Sequence, residues 1–299
     1  MNIMAGRQNS TTSLKEAIAK VKPGMTIGLS GFSYMNPPMV FVREIIRKGI
    51  KNLTIVSGPT SGIETDMLIG AGCVSKVVTS CVAFEKIAGV APNFRKAAEY
   101  GKIKVWECDE CIWHMALKAG IYNIPYILWP GAVGTDLPKL NKSLREVAVG
   151  GKRYMKIPKI GIDISFIHAG VSDIYGNVQL PENLFLGRQF CESEIAQAGR
   201  EVFVSVEKIV DNKAIMRNPE RTIITGAKVI EAPFGSHPGA SNGFYVPDLA
   251  HYREYVECCK NGAFADYLEK YVFGPKDHSD YVRKIGMKRL ESLRLKNER

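Results

Sequence analysis

Short apolar runs of strand type alternate along this chain with stretches in which apolar residues recur at helical spacing. Ser13-Leu14-Lys15-Glu16 has the form of a capping box, in which the Ser and Glu side chains satisfy each other's free backbone donors. Leu14, Ala17, Ile18 and Val21 then share one helix face, and Pro23-Gly24 ends it. Strands are predicted over 25–30, 53–57, 76–79, 103–106 and 126–129, with helices over 38–48, 64–70, 94–100 and 111–119 between them. The stretch 130–161 is rich in Gly, Pro, Lys and Arg and reads as a flexible flap or a subdomain joint. Strands resume over 164–168, 178–180, 202–206, 222–224 and 229–230, and 248–296 reads as helical.

This alternation with short connections predicts an α/β fold, a mostly parallel sheet flanked by helices with a helical C-terminus. Such sheets bind ligands at the carboxyl ends of their strands. Attention therefore falls on 31–38, 58–62 and 79–84, which follow predicted strands.

The length, 299 residues, supports either one large α/β domain spanning 1–299 or two modest domains, with ample apolar material for a core. Apolar segments recur throughout and glycine and proline are moderate, which excludes disorder as the main state. No apolar run approaches the roughly 20 residues that span a bilayer. Residues 1–12 are polar and lack the apolar stretch of a secretory signal, so the expected location is the cytoplasm and no membrane partner is expected. The seven cysteines are odd in number and irregularly spaced, which suits reduced thiols better than a disulfide framework.

The net charge of +10 raises the question of nucleic acid. Much of the excess lies at the C-terminus, where Arg283, Lys284, Lys288, Arg289, Arg294 and Lys296 recur beside Ile285, Leu290, Leu293 and Leu295. That pattern reads as a solvated helix face, with steering of a polyanionic small molecule as the functional alternative. No nucleic-acid motif is present and no nucleic-acid partner is expected.

Gly28-Leu29-Ser30-Gly31-Phe32 approaches a nucleophile elbow but has Phe32 where the last glycine belongs, which disfavours a serine hydrolase. What remains is a glycine at a strand exit, where a ligand can approach the backbone closely. Gly58-Pro59-Thr60-Ser61-Gly62 is a second such turn without the Gly-Lys-Ser/Thr ending of a phosphate loop. Cys108-x-x-Cys111-x-x-His114 lacks a fourth zinc ligand and reads as packed thiols and a packed histidine, so no metal is expected. Asp109 and Glu110 suit a helix N-terminus. Glu107, at a predicted strand exit, stays open as a general base or nucleophile. His237, on a turn-rich loop after a strand, is a candidate binding residue, whereas His168 at the end of an apolar strand reads as a core histidine.

These residues resemble a known family. Gly24-Met25-Thr26-Ile27-Gly28-Leu29-Ser30-Gly31-Phe32-x-x-x-Asn36-x-Pro38 is similar to the signature of the A (α) subunits of family I CoA-transferases. Asp173-Ile174-Tyr175-Gly176-Asn177-Val178 resembles that family's Asp-x-x-Gly-Asn turn. Glu231-Ala232-Pro233-Phe234-Gly235-Ser236-His237-Pro238 and Lys276-Asp277-His278-x-x-Tyr281 look like the glutaconate CoA-transferase α branch. The resemblance runs from about Ser13 to Leu293. It departs at Ser30, where the family has Gly-Gly-Phe, and at Asn36-Pro37-Pro38, where it has Gly-x-Pro.

The resemblance implies an α subunit of a heteromeric acyl-CoA:carboxylate CoA-transferase, with coenzyme A thioester as substrate and no permanently bound cofactor. A β subunit would supply the catalytic glutamate, and acyl-CoA and carboxylic acids would be the small-molecule partners. Gly31, Phe32, Ser33, Asn36, Gly58, Thr60, Ser61 and His237 would then line the substrate or CoA site. The hydrolase α subunits of the same family resemble this chain around Trp106-Glu107-Cys108-Asp109-Glu110, so Glu107 would be catalytic only in a ring-opening hydrolase or a decarboxylase. A scaffold subunit that completes a partner's site is the non-enzymatic alternative.

Overall fold

A computed structural model describes residues 8–181 and 191–295 of the chain. Its centre is a run of parallel strands: β1 Thr26–Leu29, β2 Leu53–Ser57, β3 Val74–Val78, β4 Lys104–Trp106, β5 Ile162–Ser172, β6 Gly199–Ile209 and β7 Lys228–Glu231. In space they lie in the order β4-β3-β2-β1-β5-β6-β7. The order runs outward from β1 to β4, then restarts at β5 on the other side of β1. That reversal leaves a crevice at the carboxyl ends of β1 and β5, which is where α/β sheets bind ligands.

Helices cover both faces because strand side chains alternate between them. Phe166 and Phe203 join a core with α1 Leu14–Ala19, α2 Met39–Arg47, α3 Ile63–Gly70, α4 Pro92–Glu99 and α7 Leu249–Lys260. The next residues, Ile167 and Val204, join a second core with α5 Glu110–Ile121 and α6 Glu192–Ala198. The capping box forms as read, with Ser13 N–H donating to Glu16 Oε2 at 3.0 Å and Glu16 N–H to Ser13 Oγ at 3.2 Å.

Several elements differ from their sequence reading. The strand read at 164–168 extends over Ile162–Ser172, and that at 202–206 over Gly199–Ile209, because each lends its far end to a neighbour. Tyr126–Trp129 does not join the parallel sheet. It pairs antiparallel with Lys152–Pro158, which pairs in turn with Arg145–Val149. Much of the supposed flap at 130–161 is therefore an antiparallel ribbon, closed by Gly150 and Gly151 at φ of 57° and 76°. Two successive residues of positive φ are what a two-residue hairpin turn requires, and glycine supplies them without strain. The stretch from Leu249 to Leu293 is helical as read, with Arg289 an exception to the solvated face: it grips Asp248 through two hydrogen bonds of 2.6 and 2.9 Å. Lys296 lies outside the described residues. Among the described residues no helix is long and apolar enough to cross a membrane.

Candidate active site

Two turns meet at the crevice. The first, 30–38, leaves β1; the second, 58–62, leaves the neighbouring β2. Ser30 is buried, donates its hydroxyl to Asn36 O at 2.9 Å and accepts from His168 N–H at 3.0 Å. Its oxygen pins the turn to β5, which agrees with the reading that it is no nucleophile. Phe32 and Met35 exchange backbone hydrogen bonds of 3.0 and 2.9 Å, tightening the turn. Asn36 accepts from Asn242 N–H and donates to Glu192 Oε1, so its side chain is spent on holding loops together.

Glycine has a specific use at this junction. A Cβ on Gly58 would stand 2.1 Å from Gly31 O, and one on Gly62 would stand 2.2 Å from Ser33 O. Gly31 itself has φ +124°, and its missing side chain points at Pro37 and at the carboxyl of Glu64. The glycines therefore let the two turns pack backbone to backbone. Ser33 N–H closes the contact by donating to Thr60 O at 2.8 Å. Thr60–Ser61 is a short strand rather than an open turn, paired in parallel with Cys81–Val82.

Beneath this seam lies Glu64, a residue the sequence reading placed only in a helix. It is fully buried. Its Oε1 accepts from Gly62 N–H at 2.7 Å and Ser61 Oγ at 2.6 Å, while Oε2 has no hydrogen-bond partner among the described residues. Burial pushes its carboxyl up to about 7. The hydroxyls of Ser33, Ser57 and Tyr252 are likewise buried without a partner among the described residues. A buried acid on the first turn of a strand-exit helix was a detectable signal, since Glu64, Thr65 and Asp66 interrupt an otherwise apolar run from Ile63 to Ile69. Beside the first turn an open cleft of 620 Å³ is lined by Tyr34, Glu85, Lys86, Ile87, Leu249 and Arg253.

The structure separates the other candidates from this junction. His237 is fully buried, with Nδ1 2.7 Å from Tyr281 O–H and Nε2 3.2 Å from Asp248 Oδ2. Both ring nitrogens are used inside the protein, and burial lowers its pKa, so His237 supports its loop rather than facing a ligand. His278 bonds Pro233 O through Nε2 at 2.8 Å, and Arg43 lies 3.7 Å from the Tyr281 ring centroid while donating to His237 O. The segments 231–238 and 276–281 thus form one clamp around Arg43. His237, Asp248 and His251 present atoms close enough for a metal, but the Arg289 guanidinium already occupies Asp248, and a second cation there is disfavoured. His168 is a core histidine, bonded to Ser205 and Glu207 at 2.9 Å each. His114 pairs with Glu194, and Cys108 is buried with its thiol pushed up by burial and by Asp109 and Glu107, so they form no metal site together.

Glu107 lies in the row that follows Trp106, Val78, Val56 and Gly28 across the sheet. It is exposed at the carboxyl end of the edge strand, three strands from β1, or about 14 Å at the usual strand spacing. Asp173, in the Asp-x-x-Gly-Asn turn, accepts from Tyr175 N–H, Asn177 N–H, Asn177 Nδ2 and Asn212 Nδ2. Burial opposes its charge, but those donors outweigh it and lower its pKa. Its role is to fold the hairpin after β5.

Comparison with known proteins agrees with this geometry. The family described as Coenzyme A transferase matches residues 11–229. An uncharacterized protein of Archaeoglobus fulgidus is 34% identical over 297 residues, covering 96% of this chain and 64% of that longer protein. The A subunit of glutaconate CoA-transferase from Acidaminococcus fermentans is 30% identical over 306 residues, covering 95% of this chain and 94% of that one. The crystal structure of glutaconate coenzyme A-transferase from the same organism superposes with a TM-score of 0.89 at 28% identity, over 96% of each chain. The chain belongs to the coenzyme A transferase family.

Proposed function

We propose that this chain is the α subunit of a heteromeric acyl-CoA:carboxylate CoA-transferase of the glutaconate type. The observation that carries the reading is the end-to-end likeness to a chain named as the A subunit of such an enzyme, in sequence and in fold. A second subunit supplies the nucleophilic glutamate. Its carboxylate oxygen attacks the thioester carbonyl, the C–S bond breaks, and the CoA thiolate leaves an acyl-glutamyl anhydride. The thiolate then attacks the glutamyl carbonyl, and the acyl carboxylate departs. An incoming carboxylate reverses the two steps. The overall reaction trades one CoA thioester for another and is nearly thermoneutral.

This chain contributes one wall. Gly31, Phe32, Ser33, Thr60 and Ser61 hold the seam at the crevice in one geometry, so that a reacting group brought by the partner meets a preformed surface. The cleft beside Tyr34 is lined by two cations, Lys86 and Arg253, against one acid, Glu85, and that excess suits an anionic segment of the substrate. Glu107, exposed and remote from the seam, is left to orient substrate or the partner. Coenzyme A enters as substrate.

The test is co-purification with a B-type subunit. The complex is incubated with an acyl-CoA, with and without acetate, and probed for a borohydride-sensitive glutamyl thioester on the partner. Acetate-dependent transfer with that thioester supports the reading. Hydrolysis without an acceptor and no thioester overturns it, as does robust transfer by this chain alone.

A further inference from the structure

Resting on the reading of the two turns as this chain's part of the site, we propose that Glu64 is a positioning acid. Through Oε1 it fixes the 58–62 turn, and Oε2 is a buried proton site in the seam between the turns. The neutral acid maintains the seam, and ionisation opens it.

The geometry brackets the carboxyl from both sides. The Cβ position of Gly31 lies 3.5 Å from Glu64 Cδ and from Oε1, and that of Gly62 lies 3.1 Å from Oε2 and 2.2 Å from Ser33 O. Oε1 is satisfied by Gly62 N–H and Ser61 Oγ, both members of the second turn. Oε2 has no hydrogen-bond partner among the described residues. An ionised carboxylate here would carry a charge on a fully buried oxygen without a donor among the described residues, which is the costly state.

The groups around it do not offset that cost. Asp66 stands on the same helix and pushes the carboxyl further up. Cys191, ahead of α6, feels the Glu64 charge; its thiol is driven up by burial and by Glu192, Glu194 and Glu64, and stays neutral. Tyr252, on α7, is also raised, by burial and then by Glu64, and stays neutral. None of these is a cation. The carboxyl therefore changes charge near neutrality, beneath the two glycine contacts that align the site. Glu64 is not itself a reacting group; it acts through Ser61, Gly62 and Gly31.

The test uses the two-subunit complex with wild type, Glu64→Gln and Glu64→Ala, measuring kcat across about pH 5 to 9. Glutamine keeps an acceptor for Gly62 N–H and has no titrating proton. Wild-type kcat is expected to fall on the basic side of about pH 7, about tenfold per unit once ionised. Glu64→Gln keeps its rate there to within about threefold, and Glu64→Ala loses about tenfold or more at every pH. Superposable wild-type and Glu64→Gln rate profiles overturn the proposal. Thermal midpoints of the same proteins keep this separate from the transferase reading. If no protein shows transfer, a midpoint difference, Glu64→Gln minus wild type, that rises between about pH 5 and 7 still supports a proton site at Glu64. A difference level with pH overturns it.

Discussion

Gly58 faces the carbonyl oxygen of Gly31 so closely that a Cβ on Gly58 would stand 2.1 Å from it, and 3.1 Å from Cys191 Sγ. Both neighbours are fixed, one being backbone and the other a buried side chain, so neither can give way cheaply. Gly58→Ala is expected to lower stability by about 1–3 kcal/mol, the usual cost of overpacking. It should also reduce transfer by the complex at least tenfold, because the seam must part to admit the methyl. Chemical denaturation beside steady-state rates checks this. A variant with wild-type stability and rate would show that the close contact is not needed.

Gly31→Ala should be tolerated less well than its size suggests. The residue has φ +124°, which strains any L side chain, and its Cβ would press on Pro37 Cα at 3.3 Å. We expect a loss of about 1–3 kcal/mol, with the larger part recovered in no conservative replacement. Thermal unfolding of Gly31→Ala and Gly31→Ser would show equal losses; a large difference between them would point to a ligand contact instead.

Stability should respond to pH in two opposed ways. Glu64 is raised from the ordinary carboxylate range to about 7 and Asp66 to about 6, both mainly by burial. A raised acid stabilises most fully below its unfolded pKa, and that contribution is lost as pH rises through the folded one, from about 4 to about 7. For Glu64 the span corresponds to about 3 kcal/mol. His237 is lowered by burial, so its contribution is full above about 6.5 and is lost as pH falls. Glu64→Gln removes one of these contributions, so its midpoint should climb relative to wild type as pH rises between about pH 5 and 7. A midpoint difference that stays level across that window would contradict the assignment.

Asp248 joins three donors: His237 Nε2, the Arg289 fork and His251 N–H. Burial resists its charge, but His237 and Arg289 outweigh burial and hold it well below the usual carboxylate range. Arg289→Ala should cost about 1–2 kcal/mol, discounted because the guanidinium is 37% exposed. Asp248→Ala should cost more, about 3 kcal/mol or above, since it strands a buried histidine as well. Urea unfolding of both variants checks the order, and an equal cost would sink it.

If the proposed transferase reading holds, in which a partner's glutamate carries the covalent step, Glu107→Gln is expected to keep transfer within about threefold, since Glu107 is an exposed edge carboxylate. A fall of ~10²-fold or more would make Glu107 a general base and favour the hydrolase reading.

The alternation of strand and helix, the capping box at Ser13 and Glu16, and the family signature around Gly31 were all legible in the chain, because each depends on spacing between near neighbours. So was the absence of a nucleophile at Ser30, from one misplaced residue. The strand at 126–129 was legible too, but its partners at 145–149 and 152–158 were not, although Gly150-Gly151 between them is a hairpin signal. What folding alone decided is everything that joins distant segments. It placed Glu64 beneath two turns about thirty residues apart in sequence, and gave burial that raises its pKa. It turned His237 inward onto Tyr281 and Asp248, where a loop position had suggested a ligand. It also made Gly58 and Gly62 contacts of backbone on backbone rather than open space for substrate. Local pattern reports hydrogen-bonding and periodicity within a few residues; burial and close approach are properties of the packed whole, and they set the charge, the room and the partners that each side chain has.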